Sequence, residues 1–395
     1  MKNLLRLNKL YILSLYVFSL LLFSSCEEVS AEKSSSVING IVTNVNMYGN
    51  LELSITSKDM AAAGYEYGDI VHVEGNGVIE EMDLPYVNNY ICVGSWGISL
   101  NKFDDVECLT LSLSNASFYE RIGGVVGGKI RLSMAKKGGF LDVYNELTLE
   151  STSVRDDYAS DEVFANFRMV NCGNILPGKL YRSSKPTLAK GNPVRYQYAD
   201  NLARKAGVNS IITFADTQEK WNNAVESKAG IGDYSMELYN KGTLLLNGMG
   251  ADFYQEKNLK GLNNAMKFML ENEPPYLVCC DFGRDRTGMF SMLLEILADA
   301  KYEDIKSDYL ETYENFYHIN KNDNIYNRLK TIMFDKLLYI ILNQGDVDIV
   351  QLNKMEDFDV NSFFPSLKQA VRTYFIQKVG ISESELDAVM YKLQN

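Results

Sequence analysis

Residues Tyr276 to Phe290 read YLVCCDFGRDRTGMF, and no other stretch restricts the fold as tightly. Tyr276, Leu277 and Val278 form an apolar run with the look of a buried strand. The run stops at Cys279-Cys280. Arg286 follows six residues after Cys280, then Thr287 and Gly288, then an apolar helix-like run from Met289 to Leu297. A strand, a tight loop and a helix N-terminus in that order gather backbone N–H groups at one spot, where the helix dipole favours negative charge. A thiol at the base of such a cup ionises more easily. Arg286 can grip two oxygens of a bound phosphate with its planar fork. Cys280 is then a nucleophile aimed at phosphorus, and a phosphocysteine intermediate follows.

Cys280-Asp281-Phe282-Gly283-Arg284-Asp285-Arg286-Thr287-Gly288 resembles the signature loop of the cysteine-dependent protein tyrosine phosphatases. More narrowly, it resembles a bacterial family with the loop pattern HCxxGKDRTG, whose members act on phosphotyrosine, sometimes phosphoserine or phosphothreonine, and phosphoinositides. Asn166-Phe167-Arg168 and Pro177-Gly178-Lys179-Leu180-Tyr181-Arg182-Ser183-Ser184 are similar to that family's opening pattern. Gly207 to Asp216 is similar to its next strand, and Phe375 to Leu393 to its closing helix pair. The resemblance spans roughly residues 163 to 395. It implies an α/β phosphotyrosine-phosphatase fold with extra C-terminal helices. Cys280 and Arg286 carry over as catalytic residues. Asp281, Phe282, Gly283, Arg284, Thr287 and Gly288 carry over as the substrate-binding loop, and Arg182 as a substrate or supporting contact. Thr287 is placed to hydrogen-bond the departing thiolate. No metal and no organic cofactor is implied. Two positions depart from the pattern: Cys279 stands where the family has His, and Arg284 where it has Lys. The neighbouring thiols raise a redox expectation, in which oxidised Cys280 is captured by Cys279.

The leaving oxygen needs a proton from a nearby carboxylic acid. Asp285, inside the loop, is one candidate and is placed slightly ahead. Asp252, 28 residues before Cys280 in a loop carrying Gly248 and Gly250, is the other; the glycines would let that loop close. The leading expectation is a phosphomonoester hydrolase acting on a phosphorylated protein, phosphotyrosine first, with dual specificity or a phosphoinositide substrate as the other readings. The alternative, prompted by Cys279, is a lipid-anchored phosphate-binding module with an impaired or dead site.

With 395 residues, 46% hydrophobic and 23% charged, the chain has the length and composition for two globular domains. A net charge of −12 with no basic stripe argues against nucleic acid as a partner. Lys2, Arg6 and Lys9 precede an apolar stretch, Tyr11 to Phe23, too short for a comfortable membrane span. Phe23-Ser24-Ser25-Cys26 then resembles a bacterial lipoprotein signal. That implies a signal peptide at 1–25, lipidation of Cys26, a tether at 26–36, and a membrane-anchored place in the cell envelope of a Gram-negative bacterium; an uncleaved signal anchor is the alternative. Cys92 and Cys108 could pair across neighbouring strands or remain buried thiols. The oligomeric state is left open.

Residues 37 to 150 read as an all-β accessory domain. Short apolar or alternating runs (38–46, 51–57, 70–74, 90–93, 109–113 and 129–133) are separated by Gly and Asn turns such as Tyr48-Gly49-Asn50. This spacing predicts a small barrel or sandwich. Gly40 to Leu51 weakly resembles part of the C-terminal β-domain of S-adenosylmethionine hydroxide adenosyltransferases. The segment is read as a binding or packing module without adenosyl chemistry. A mixed-charge linker leads to the second domain, 163–395, where alternating strands and helices predict a parallel-rich sheet. A ligand in such a sheet binds beyond the carboxyl ends of the strands, where Cys280 falls.

Overall fold

A computed structural model describes residues 37–75, 79–88, 93–101, 107–114, 116–355 and 357–395. The leader with Cys26, the tether and Cys92 lie outside the described residues. Among the described residues no helix is long and apolar enough to cross a membrane.

The N-terminal region is a closed barrel of seven strands. They are β1 (Ile38–Val45), β2 (Leu51–Leu53), β3 (Ile70–Gly75), β4 (Ile79–Val87), β5 (Trp96–Asn101), β6 (Cys108–Leu113) and β7 (Lys129–Lys136), in the order β1-β2-β6-β5-β4-β3-β7. Of the two expected shapes, closure selects the barrel and removes the sheet edges. Alternation fixes what fills it: Val71 and Val73 on β3 and Leu109, Leu111 and Leu113 on β6 are buried in the core. The residues between them, Thr110 and Ser112, are also buried, together with Ser99 of β5. Their hydroxyls bond one another at 2.8 to 3.0 Å.

Two of these strands differ from the sequence reading. β4 carries Glu80, Glu81, Asp83 and Pro85, which speak against a strand. It pairs antiparallel with β3 and parallel with β5, so tertiary pairing overrides local propensity. β5 was likewise not read from the sequence.

The C-terminal region holds a second sheet in the order β11-β10-β12-β9-β8. Its strands are β8 (Arg168–Met169), β9 (Leu180–Ser184), β10 (Ser210–Thr213), β11 (Leu244–Leu246) and β12 (Tyr276–Cys280). β9, β10, β11 and β12 run parallel and β8 is antiparallel on the edge. β12 is central and wholly buried. The helix that follows it, Asp285–Leu297, is buried at every residue from Arg286 onward. Such an element reads as an uninterrupted apolar run because neither side meets water. The apolar layer on one face of this sheet and the barrel interior belong to one contiguous cluster.

Candidate active site

The site begins with the alternation of β12. Cys279 and Cys280 point to opposite faces. Cys279 joins the cluster containing Ile211 and Trp221, and its thiol lies 3.6 Å from the Ile212 carbonyl oxygen. Burial pushes that thiol well above its ordinary pKa. Cys280 lies in the other layer and faces a cavity of about 490 Å³. This geometry runs against the redox expectation: capture of Cys280 by Cys279 would require one of them to turn through the sheet. It also shows what a Cys at 279 does, which is to fill a packed apolar layer away from the cavity.

The loop after Cys280 is held from behind by the segments similar to the family's opening pattern. Asn166 has a left-handed backbone (φ 50) and its amide donates to the Phe282 carbonyl at 3.0 Å. Arg168 donates to Asn166 Oδ1 at 2.6 Å and to Asp308 Oδ1 at 3.0 Å. Arg182, 1% exposed, pairs with Asp308 and donates to the Gly283 carbonyl at 2.9 Å. Arg182 therefore shapes the loop from behind and is not among the cavity-lining residues, the position of a supporting contact and not of a substrate contact. Gly283 is required by space as well as by conformation. Its φ is +70, and an added Cβ would stand 2.5 Å from the Ser183 carbonyl.

Arg286 is 5% exposed. It donates to the Phe214 carbonyl at 2.7 Å, to the Met249 carbonyl at 3.2 Å and to Asp281 Oδ2 at 2.5 Å. Lys185 meets the other Asp281 oxygen at 3.2 Å and Asp216 Oδ1 at 3.0 Å. Burial works against the Asp281 carboxylate, but Arg286 and Lys185 outweigh it and hold its pKa below the usual range. The cup thus carries an internal anion between two cations. Lys185, which directly follows the Leu180–Ser184 strand, was missed from the sequence. Asp216, whose place at the end of a strand was noted, is its partner.

Arg284 takes both oxygens of Asp285, at 2.8 and 3.1 Å, and donates to the Tyr317 hydroxyl at 2.6 Å. Asp252 accepts the Tyr254 N–H at 3.0 Å. Burial lifts its carboxyl to about 6 against the pull of the Tyr254 and Gln255 amides. Thr287 is fully buried, and its hydroxyl has no hydrogen-bond partner among the described residues.

The structure brings Cys280, Asp281, Phe282, Arg284, Asp285, Arg286 and Asp252 onto one cavity wall. Gly283, Thr287, Gly288 and Arg182 stand behind it. A second wall comes from the barrel, with Asn46, Tyr48, Asn50, Ser99, Thr110 and Ser112 among its residues. No sequence signal found that wall: Tyr48-Gly49-Asn50 reads as a turn, and nothing local says what a turn touches.

A family model described as "Tyrosine phosphatase family" matches residues 164–395. No curated protein matches the chain. A solved structure titled as an uncharacterized conserved protein from Thermotoga maritima is similar at 15% identity, over 25% of this chain and 36% of that one, with a TM-score of 0.22.

Proposed function

The chain belongs to the tyrosine phosphatase family, and from that premise we propose that it hydrolyses phosphomonoesters through a phosphocysteine on Cys280. The observation that carries this reading is the junction of Cys280, Arg286 and Asp252 on one cavity, at the C-terminal end of a buried parallel strand.

The substrate phosphate takes Arg286 from Asp281, and Lys185 keeps the released carboxylate paired. The Cys280 sulfur attacks phosphorus as the bond to the leaving oxygen breaks. Asp252 gives that oxygen its proton. Water then attacks the phosphocysteine, Asp252 takes the water's proton, and the thiolate leaves with phosphate freed. Asp252 is preferred to Asp285 because burial keeps its carboxyl protonated up to about pH 6, whereas both Asp285 oxygens are engaged by Arg284. The orphan hydroxyl of Thr287 is available to the departing thiolate. Phosphotyrosine is the proposed substrate, with phosphoinositides next. A lipid anchor on Cys26 would place the enzyme at an envelope membrane; mass spectrometry of the native protein should find an acylated Cys26 as its first residue.

The test is hydrolysis of p-nitrophenyl phosphate, followed by a panel of phosphopeptides and inositol phospholipids. Cys280→Ser should abolish turnover, by roughly 10⁴-fold or more. Turnover that survives in this variant would refute the mechanism.

A further inference from the structure

The barrel reaches the catalytic loop through the turn between β1 and β2. Asn46 Oδ1 accepts the N–H groups of Tyr48 and Asn50, at 3.0 and 3.1 Å. The Gly49 N–H donates to the Asn46 carbonyl at 2.9 Å, and the Asn46 N–H to the Asn50 carbonyl at 3.0 Å. An Asn side chain that closes its own turn in this way leaves the tip little freedom. Gly49 has φ +78 and packs so closely on Ser117 that an added Cβ would meet its Oγ at 2.0 Å.

The tip rests on the loop that carries Asp252. A Cβ on Gly250 would be 3.3 Å from the Met47 carbonyl oxygen. A few residues on, the Gln255 amide donates to Glu120 Oε1 at 2.5 Å, a second tie between barrel and loop.

Tyr48 sits at the apex of this turn and lines the same cavity as Cys280. Its ring centroid is 5.6 Å from the guanidinium carbon of Arg286. Burial raises the pKa of its hydroxyl, and the charges of Arg286, Asp281, Cys280 and Lys185 all act on it. A phenol so placed is neutral near pH 7 and has a proton to donate.

We propose that Tyr48, carried in by the barrel, is a phosphate-binding residue of the catalytic site, its hydroxyl donating to a phosphoryl oxygen that Arg286 also holds. The inference rests on the phosphatase reading above and goes beyond it: the anion cup is completed by a residue outside the segment that matches the family.

The experiment measures tungstate binding by calorimetry to full-length protein carrying Cys280→Ser, with and without Tyr48→Phe. Phe keeps the ring and its packing and removes one oxygen. The expected result is about 10-fold weaker binding, as for a lost hydrogen bond to an anion, with thermal unfolding unchanged. KM for p-nitrophenyl phosphate should rise by a similar factor in Tyr48→Phe with Cys280 intact. Unchanged binding overturns the proposal. Tighter binding also overturns it and would show the phenol competing with the anion for the cup. Arg286→Lys separates this failure from that of the parent reading. If it binds tungstate as well as its parent, the phosphatase site itself is wrong; if it weakens while Tyr48→Phe does not, only the role of Tyr48 falls.

Discussion

The barrel and the C-terminal sheet bury their chains in different ways. The barrel fills its interior mainly with aliphatic side chains; its buried polar groups are a few hydroxyls, three of them bonded together on one wall, and Asp69, which pairs with Lys137. Around the loop from Cys280 to Arg286 the C-terminal region instead buries Arg182, Lys185, Arg286, Asp216, Asp281 and Asp308, in touching pairs. Apolar burial is non-directional and stabilises without further conditions. Buried ion pairs pay a desolvation penalty that their attraction only partly returns, so they add little net stability for the positioning they give. On the proposed function, the second region gives up stability to hold an anion cup, and the first supplies the surface that closes it.

That contrast is tested most severely by Arg182→Met. It leaves Asp308 with one fewer cation and the Gly283 carbonyl without its donor. Breaking a buried pair costs about 3–5 kcal/mol, read as a fall in the urea midpoint, and turnover should fall with it. In the barrel, Leu111→Ala should cost about 2–5 kcal/mol through its cavity yet leave kcat unchanged in the protein that remains folded. If both variants leave kcat intact, the distinction between the two regions is lost.

Next in size is Asp252→Asn. With its carboxyl lifted to about 6, Asp252 is protonated below that pH and kcat/KM should fall as pH rises through it. The variant should lose this descending limb and roughly 10²-fold in rate at pH 6. The stability effect has the same sign. A carboxyl whose folded pKa is raised stabilises the fold at low pH and loses that contribution as pH climbs from about 4 to 6, so the variant should show a flatter stability profile there. If the limb persists in Asp252→Asn and vanishes in Asp285→Asn, the two acids exchange roles.

Gly283→Ala comes third. The loop needs φ +70 at this position with the Ser183 backbone 2.5 Å from the new Cβ. The strain should cost about 1–3 kcal/mol. It should also weaken tungstate binding, because the loop must move to relieve it. Binding at the level of the unsubstituted protein would mean that the cup tolerates a shift of its backbone.

What could be read in advance divides along the same line. The loop from Cys280 to Arg286 was legible because strand, loop and helix are contiguous and each residue's type follows from one local task. Asp281 was legible as a position but not as a partner of Arg286, since that pairing depends on the path of the loop. Lys185 and Tyr48 were illegible for a stronger reason: their meaning lies in what they face across the chain, Lys185 in Asp216, 31 residues on, and in Asp281, and Tyr48 in the distant Arg286. β4 was lost because its acids and proline are tolerated only through pairing on both sides.

The smallest expected effect lies in the barrel wall and asks whether that wall is only a scaffold. Thr110→Val keeps the shape of the side chain and removes one of the three mutually bonded hydroxyls. Ser99 Oγ and Ser112 Oγ, 3.0 and 2.8 Å from Thr110 Oγ1, are left bonded to each other at 3.0 Å. These two contacts and the bond from Thr110 Oγ1 to the Ser99 carbonyl at 3.2 Å are lost while the two serine hydroxyls keep each other, so about 1 kcal/mol should disappear from the unfolding free energy. The hydroxyls line the cavity from the barrel strands β5 and β6, and hydrolysis of p-nitrophenyl phosphate, which projects little beyond its ring, should not change. A phosphorylated substrate with a larger polar body would meet that wall, and a rise in its KM alone would show the barrel selecting the leaving group. Equal loss toward small and large substrates would instead mean that the hydroxyls only hold the barrel in place, which would narrow its share in the chemistry to the turn that carries Tyr48.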